Sequence, residues 1–237
     1  QTCLACQSSV AARLAAWGMP YRWLGRWLRP EDAALVDAWI AGLAPEDYLT
    51  ATYDAPAEGR PPGEAWQIGI WARSSVHTHL RHPVLDLADP VVRRTCTISL
   101  RNALLTALGL SRLYAAERPD SQLLFNGRMA PARVALELAK LRGIRTLVEE
   151  RALVLGRISL FEDTHCLDPS NLFDLWETWR DTPLDTEEIA AVAAFLDERW
   201  HGRAKDVSAF SGGAGDIAAM FAHLKLDPAR PLWVLYT

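Results

Sequence analysis

Residues 121–151, SQLLFNGRMAPARVALELAKLRGIRTLVEER, decide the fold class of this chain. Their two apolar runs, QLLF and IRTLV, are each short and bounded by polar residues, which is typical of buried strands. Between the runs, Pro131 suits the first turn of a helix and Gly143 suits its C-cap. Strand, helix and strand in this order predict a βαβ unit with a right-handed crossover, and hence a parallel sheet. One stripe of the predicted helix carries Val134, Leu138 and Leu141.

The loop that follows the first strand, Asn126-Gly127-Arg128, is the strongest indication of a ligand site. Ligands of open α/β sheets bind beyond the carboxyl ends of the strands, where a helix N-terminus offers free N–H groups and partial positive charge. Arg128 and Arg133 would add forked donors suited to phosphate or carboxylate, and Gly127 permits a positive φ or close backbone approach. Asn126, Gly127, Arg128 and Arg133 are therefore predicted to bind an anionic or heavily hydroxylated ligand.

The second strand should bring Glu149, Glu150 and Arg151 to the same edge of the sheet. A carboxylate there could accept a proton from a substrate hydroxyl, which makes Glu150 a candidate base. The alternative is structural, with Arg128 paired to Glu149 or Glu150. Both interpretations remain open at this point.

Residues 74–82, SSVHTHLRH, combine hydroxyl, imidazole and guanidinium groups. In an extended strand, His77, His79 and Arg81 would share one face, whereas a helix would align Ser75, His79 and His82. No third metal ligand follows at motif spacing, so no metal site is predicted. His77 is a candidate base. The candidate substrate-binding residues of this segment are Ser74, Ser75, His79 and Arg81.

A second group of titratable residues lies in FEDTHCLD at 161–168. Asp163 and His165 are two residues apart and can serve as base and orienting group, or can cap turns. Both are therefore candidate catalytic residues, flanked by Glu162 and Asp168. The chain has no nucleophile elbow, phosphate-binding P-loop or dinucleotide fingerprint.

Further helices and loops follow from apolar spacing and turn residues. Residues 1–50 are predicted to be helical, with the clearest helix at 29–43. Further helices are predicted at 90–117 and 185–200, and a Pro/Gly-rich loop is predicted at 54–65. The apolar run at 231–237 predicts a strand, at which a second domain would begin.

Composition bounds the class of protein. Half of the 237 residues are apolar, which supports a real core, and the net charge of -4 argues against nucleic acid as a partner. No apolar run reaches the roughly 20 residues of a membrane span. Four cysteines do not make a disulfide scaffold, so a reducing cytoplasm is the default. Cys3 and Cys6 form a CxxC pair, which would need two further ligands to hold zinc.

The segment AAWGMPYRWLGRWLRP at 15–30 is rich in tryptophan and arginine. Such a segment can lie on a membrane surface, or its aromatic side chains can pack a short helix onto the domain. Packing is favoured, because Gly18, Pro20 and Gly25 interrupt any long amphipathic face.

Four stretches together, GIWARSSVHTHLR, LLFNGRMAPARVALELAKLRGIRTLVEER, ISLFEDTHCLD and PLWVLYT, resemble bacterial glycosyltransferases of capsule or envelope polysaccharide biosynthesis. The resemblance extends from about Cys3 to the C-terminus, and FNGR-x-AP-x-R is its most specific motif. It implies an α/β fold, with a Rossmann-like parallel sheet and many flanking helices, as the N-terminal half of a two-domain GT-B architecture. Residues 1–230 would form the acceptor-side domain, with a helix-rich insert at about 1–117, and 231–237 would begin the donor domain.

The same resemblance implies transfer of a sugar from a nucleotide-sugar donor to a glycan or lipid-linked acceptor. A base would deprotonate the acceptor hydroxyl, and positive groups would stabilise the departing phosphate without an obligatory metal or other cofactor. The expected location is the cytoplasm or the inner face of the membrane, where peripheral membrane contact is one option. Two alternatives stay open, a nucleotide-sugar epimerase of similar fold and a non-catalytic carbohydrate-binding or scaffold domain. The candidate bases are Asp163, His165, His77 and Glu150.

Overall fold

The computed structural model describes residues 4–54, 65–152, 156–201, 221–227 and 230. Cys3, most of the predicted loop at 54–65 and the predicted strand at 231–237 lie outside the described residues. The chain divides into two compact units. The first comprises Gln1–Glu150 and Leu160–Asn171, and the second comprises Arg151–Ser159 and Leu172–Thr237.

The described residues form a mixed α/β structure. Short 3-10 helices span Leu24–Trp27 and Pro45–Asp47. In chain order, the other elements are α1 (Leu4–Ala16), α2 (Asp32–Ala41), β1 (Tyr53–Asp54), β2 (Ala65–Trp66), α3 (Ile68–Leu80), α4 (Pro90–Glu117), β3 (Ser121–Phe125), α5 (Ala130–Leu141), β4 (Arg145–Arg151), β5 (Ile158–Glu162), α6 (Ser170–Trp179) and α7 (Thr186–Trp200).

The predicted βαβ unit is confirmed. Strands β3 and β4 are parallel, with Ser121 opposite Arg145 and Phe125 opposite Glu149, and α5 connects them. The sheet order is β3-β4-β5, and β5 makes the sheet mixed rather than wholly parallel. Strand β4 also runs beyond the predicted IRTLV segment, to Arg151. The predicted stripe of α5 holds for Val134 and Leu138, which are fully buried, but Leu141 is exposed at the helix end.

Helix α4 contributes more buried apolar side chains than any other described element, and it packs against α2, α3 and α5. Its bounds match the predicted helix, because the Asp89 side chain caps it by accepting from the Val91 N–H and Pro90 occupies the first turn. The buried face of α4 includes Val92, Cys96, Leu100, Ala103, Leu104, Ala107 and Leu108.

Two groups of polar contacts attach α4 to the elements around it, one to α2 and one to the sheet. Asp32 at the start of α2 is only 2% exposed. Its two carboxylate oxygens accept hydrogen bonds from the two Nη atoms of Arg112 on α4, at 2.5 and 2.7 Å. Near the sheet, the Tyr114 hydroxyl donates to Gln122 Oε1 at 2.6 Å, and Gln122 Nε2 donates to Thr146 Oγ1 at 2.9 Å. Burial raises the pKa of Tyr114 to about 12. These bonds tie α4, β3 and β4 together through satisfied buried groups.

Two segments differ from the sequence-based expectations or were not assigned by them. The segment at 74–82, for which extended and helical forms are both open from the sequence, is helical up to Leu80 as the second half of α3. Helix α6 was not predicted, although Leu172, Leu175, Trp176 and Trp179 recur at helical spacing. Helix α7 agrees with the prediction, and Asp185 and Glu188 form a capping box at its start.

Several apolar side chains are exposed among the described residues. On the sheet, Leu123, Phe125 and Leu160 are exposed, while Leu124 and Val148 are turned inward. In the second unit, the apolar residues of α6 and α7 are exposed as well. Near the N-terminus, the predicted packing of a short helix onto the domain is confirmed for Leu24–Trp27, which packs against α4. Trp17 and Trp23 do not take part in this packing and are exposed. Within the described part of the chain, no helix is long and apolar enough to cross a membrane.

Candidate functional site

Asn126 is the centre of the turn that follows β3. It has a left-handed backbone, with a φ of 66°, which Asn tolerates better than most residues. Its N–H donates to the Glu149 carbonyl at 2.8 Å, and its carbonyl accepts from the Cys166 N–H at 3.1 Å. Its side-chain Nδ2 donates to Glu150, and its Oδ1 accepts from the Arg128 N–H at 3.2 Å. Asn126 therefore holds the turn together, joining β3, the end of β4 and the segment around Cys166.

Gly127 allows a close approach between this turn and His165. Its φ is 69°, and a Cβ placed on it would lie 3.2 Å from His165 Cα, His165 Cβ and Val148 Cγ1. A side chain at this position would be both strained and crowded. The predicted need for glycine is thus confirmed, and the group that approaches the backbone is His165.

Arg128 points toward α3 rather than pairing with the structural glutamates considered for it. Its Nη1 donates to Thr78 Oγ1 at 3.1 Å, while its Nε is buried without a hydrogen-bond partner. The guanidinium is half-buried. A charged group held in this state retains donor capacity for an anion or a hydroxyl-rich ligand.

The N-terminus of α5 offers less to a ligand than the sequence predicts. Ser75 Oγ on α3 accepts from the Ala130 N–H at 2.8 Å, and the Arg133 N–H donates to the Met129 carbonyl at 2.7 Å. Pro131 has no N–H to donate. Ser75, predicted to bind substrate, instead caps this helix, so ligand binding here depends on side chains more than on helix backbone.

Arg133 is paired within its own helix. Its Nε lies 2.8 Å from Glu137 Oε1, close enough for an ion pair but not aligned as a hydrogen bond. The pair is half-buried, and Lys140 lies 3.8 Å from the same carboxylate oxygen. Arg133 therefore acts on the site through its charge, which reaches His165.

Glu150 is half-buried at the end of β4, beside Asn126 and Cys166. Burial raises the pKa of the Cys166 thiol, and the charge and hydrogen bond of Glu150 raise it further. Cys166 is thus held as a neutral thiol next to a carboxylate. The carboxylate lies at the carboxyl edge of the sheet, as the sequence predicts.

His165 is half-buried against the Gly127 turn, and its Nδ1 is enclosed without a hydrogen-bond partner. Burial lowers the pKa of His165 below its ordinary value, and the positive charge of Arg133 lowers it further. The ring is therefore neutral at pH 7 and can accept a proton. A neutral imidazole held against this turn is suited to general-base chemistry.

Asp163 and His77, two other candidate bases, are not brought to this turn. Asp163 Oδ1 accepts from the Thr146 N–H at 2.8 Å, and its own N–H donates to the Thr146 carbonyl, so it secures the early part of β4. His77 Nδ1 lies 3.0 Å from the His82 carbonyl at the end of α3. Both residues have structural partners, which explains their positions.

The remaining candidates on residues 74–82 are separated by the helical form of α3. The extended face of His77, His79 and Arg81 does not exist, since Arg81 ends the helix with a φ of 52°. The helical alignment of Ser75 with His82 also fails, because His82 lies beyond the helix end. His79 and Arg81 are exposed and Ser74 is half-buried.

Three residues of the site were missed by sequence reasoning. Thr78 follows Ser75 by three positions, which places both on one face of α3 and could have indicated it. Glu137 follows Arg133 by four positions, a standard ion-pair spacing. Cys166 had no signal beyond its position next to His165.

Among the residues that the structure describes, no three His, Cys, Asp or Glu side chains are grouped as a metal site would require.

Comparisons with protein-family models, with curated proteins and with solved structures find no match to this chain.

Proposed function

We propose that this chain is the acceptor-side, Rossmann-like part of a GT-B glycosyltransferase, which moves a sugar from a nucleotide-sugar donor to a glycan or glycolipid acceptor in bacterial surface polysaccharide synthesis. The observation that carries the proposal is the turn at Asn126 and Gly127. This turn contacts both Glu150 and His165 at the carboxyl edge of the parallel strand pair, with Arg128 beside it. Ligands of α/β sheets bind at this edge.

His165 is the base in this proposal. Its lowered pKa keeps the imidazole neutral, and Nε2 is the ring nitrogen available to a substrate because Nδ1 is enclosed. The acceptor hydroxyl loses its proton to Nε2 while its oxygen forms a bond to the anomeric carbon. The bond from that carbon to the phosphate oxygen of the donor breaks, and the nucleotide leaves with the electron pair.

Arg128 and Glu150 position the substrates. The guanidinium of Arg128 is suited to phosphate or to vicinal hydroxyls, and the carboxylate of Glu150 is suited to accept from acceptor hydroxyls. Arg133 tunes the site through its charge on His165. His77 and Asp163 have no part in the reaction.

Nucleotide release is the readout that tests the proposed activity. The full-length product of the gene is incubated with a panel of nucleotide sugars, with and without glycan or glycolipid acceptors. Release that depends on the acceptor supports sugar transfer. Interconversion of the sugar nucleotide without acceptor would indicate an epimerase, and carbohydrate binding without turnover would indicate a scaffold domain; either result contradicts the proposal.

Substitution of Arg128 tests the site itself. Because Arg128→Ala removes charged hydrogen-bond donors from the site, kcat/KM should fall roughly 10- to 100-fold. The matched control is Arg73→Ala, since Arg73 is an exposed arginine of α3, the helix that Arg128 contacts. Equal activity of the two variants would remove Arg128 from the site.

A further inference from the structure

The segment at 13–26 carries exposed aromatic side chains on a fixed backbone. Trp17 is 71% exposed and Trp23 is 47% exposed, and Met19 and Tyr21 are exposed between them. Tyr21 and Trp23 meet edge to face, with ring centroids 5.6 Å apart. Large apolar side chains grouped in this way on a protein surface indicate an interaction site.

The exposure does not result from a loose segment, because the residues that follow are attached to α4. Leu24 and Leu28 pack on Gly109, and Arg112 Nη1 donates to the Trp27 carbonyl at 2.9 Å. An ion pair of 2.5 Å joins Arg22 to Glu117 at the end of the same helix. The segment is thus attached to α4 through Arg22, Leu24 and Leu28, whereas its tryptophans Trp17 and Trp23 stay exposed.

The charge of the segment differs from that of the rest of the chain. Residues 1–30 contain four arginines and no acidic residue, although the whole chain has a net charge of -4. Among the residues that the structure describes, Arg13 and Arg26 are exposed and neither is paired with a carboxylate. Tryptophan and tyrosine next to unpaired arginine are the side chains that favour the interface of an anionic bilayer.

We infer that residues 13–26 form a docking surface for an anionic lipid bilayer, with Trp17 and Trp23 inserted at headgroup level and Arg13 and Arg26 paired with lipid phosphates. The surface is peripheral, and it is independent of the sugar-transfer activity. The exposed apolar side chains of α6 and α7 do not fit the same occupant, because acidic residues flank them. Those helices provide a matched control on the same chain.

Vesicle flotation tests this inference with the full chain. Vesicles of phosphatidylcholine mixed with phosphatidylglycerol should bind the protein at low salt, and vesicles of phosphatidylcholine alone should bind it much more weakly. Arg13→Gln with Arg26→Gln should weaken binding roughly 25-fold, at about fivefold for each arginine. Trp17→Ala with Trp23→Ala should weaken it by roughly tenfold or more. Trp179→Ala with Trp200→Ala should leave it unchanged.

Three results would overturn the inference. The first is that the wild type does not bind vesicles, and the second is that binding persists in both variants of the 13–26 segment. The third is a dimer in light scattering that dissociates in the Trp17→Ala and Trp23→Ala variant without any lipid binding by the wild type, which would identify a protein as the occupant. Should the double tryptophan variant fail to fold by circular dichroism, Trp17→Ala alone decides, because its side chain is the more exposed.

Discussion

Gly127 lies directly against His165, so closely that a Cβ on the glycine would stand 3.2 Å from both Cα and Cβ of the histidine. This contact brings the turn after β3 and the segment after β5 together, although nearly forty residues separate them in the chain. It holds His165 against the turn whose Asn126 side chain donates to Glu150, and the proposed chemistry depends on it.

Gly127→Ala should therefore cost more than a glycine substitution usually does. The cost of a left-handed backbone at alanine and the cost of crowding against His165 are added together, so we expect a loss of roughly 2–4 kcal/mol in the free energy of unfolding. Urea denaturation measures it. Gly143→Ala is the control, because Gly143 has a φ of 65° but no atom within 4 Å of its Cβ position, and it should cost only about 1–2 kcal/mol. Equal losses would show that the contact with His165 is unimportant.

Breaking the buried ion pair of Asp32 should destabilise the fold strongly. Arg112→Met leaves the Asp32 carboxylate buried without its main partner, and about 3–5 kcal/mol of stability should be lost. The control is Arg101→Met, which breaks the exposed pair with Asp37 and should cost at most about 1 kcal/mol. Thermal and chemical unfolding of both variants provide the comparison, and similar losses in the two would contradict the assigned burial.

The pKa of His165 should respond to the charge of Arg133. Arg133→Met removes a positive charge that lowers the pKa, so the pKa should rise toward the ordinary value of about 6.5. Lys140→Met should produce a smaller rise, because the effect of Lys140 is weaker. Titration of the imidazole signals by NMR measures both, and an unchanged pKa in Arg133→Met would place Arg133 away from the site.

The same lowered pKa makes folding stability depend on pH. In the folded protein His165 resists protonation, so the unfolded chain binds more protons in this range. The stability that His165 contributes is present above the pKa of the unfolded chain, about 6.5, and is lost as the pH falls through the pKa of His165 in the folded protein. His165→Gln should flatten this part of the stability profile.

The sequence predicts the βαβ unit and α4 well because their signals are local. Apolar spacing, Asp89, Pro90 and Pro131 all act within one element, and no distant residue needs to be known. The sequence leaves the form of residues 74–82 undecided, since the histidines there fit both the strand period and the helix period. The hydrogen bond from Arg128 to Thr78 links residues fifty positions apart, and no local pattern encodes it.

The candidate site shows the same division. The turn at Asn126 and the edge position of Glu150 follow from strand order, so both could be predicted. The sequence does not show that Asp163 and His165 have different surroundings. The chain turns at Asp163, where φ is 53°, so that Asp163 bonds to Thr146 while His165 lies against Gly127. Ser75 as the cap of α5 depends on tertiary packing alone.

Alkylation of the cysteines tests the placement of Glu150. Cys6 is exposed and should react before Cys166, whose pKa is raised by burial and by Glu150, while buried Cys96 should react last. Glu150→Gln removes the negative charge but keeps an acceptor for Asn126, so Cys166 alone should react faster. Peptide mapping by mass spectrometry after timed iodoacetamide treatment gives the rates. If the alkylation rate of Cys166 does not change in Glu150→Gln, the side chains of Cys166 and Glu150 are not in contact.

In the proposed reaction, His165 removes the proton from the acceptor hydroxyl. Acceptor-dependent nucleotide release by His165→Gln tests it most directly, with His79→Gln as control because His79 is exposed on α3. We expect a loss of kcat on the order of 100-fold or more for His165→Gln and wild-type rates for His79→Gln. Wild-type kcat in a folded His165→Gln variant would contradict it.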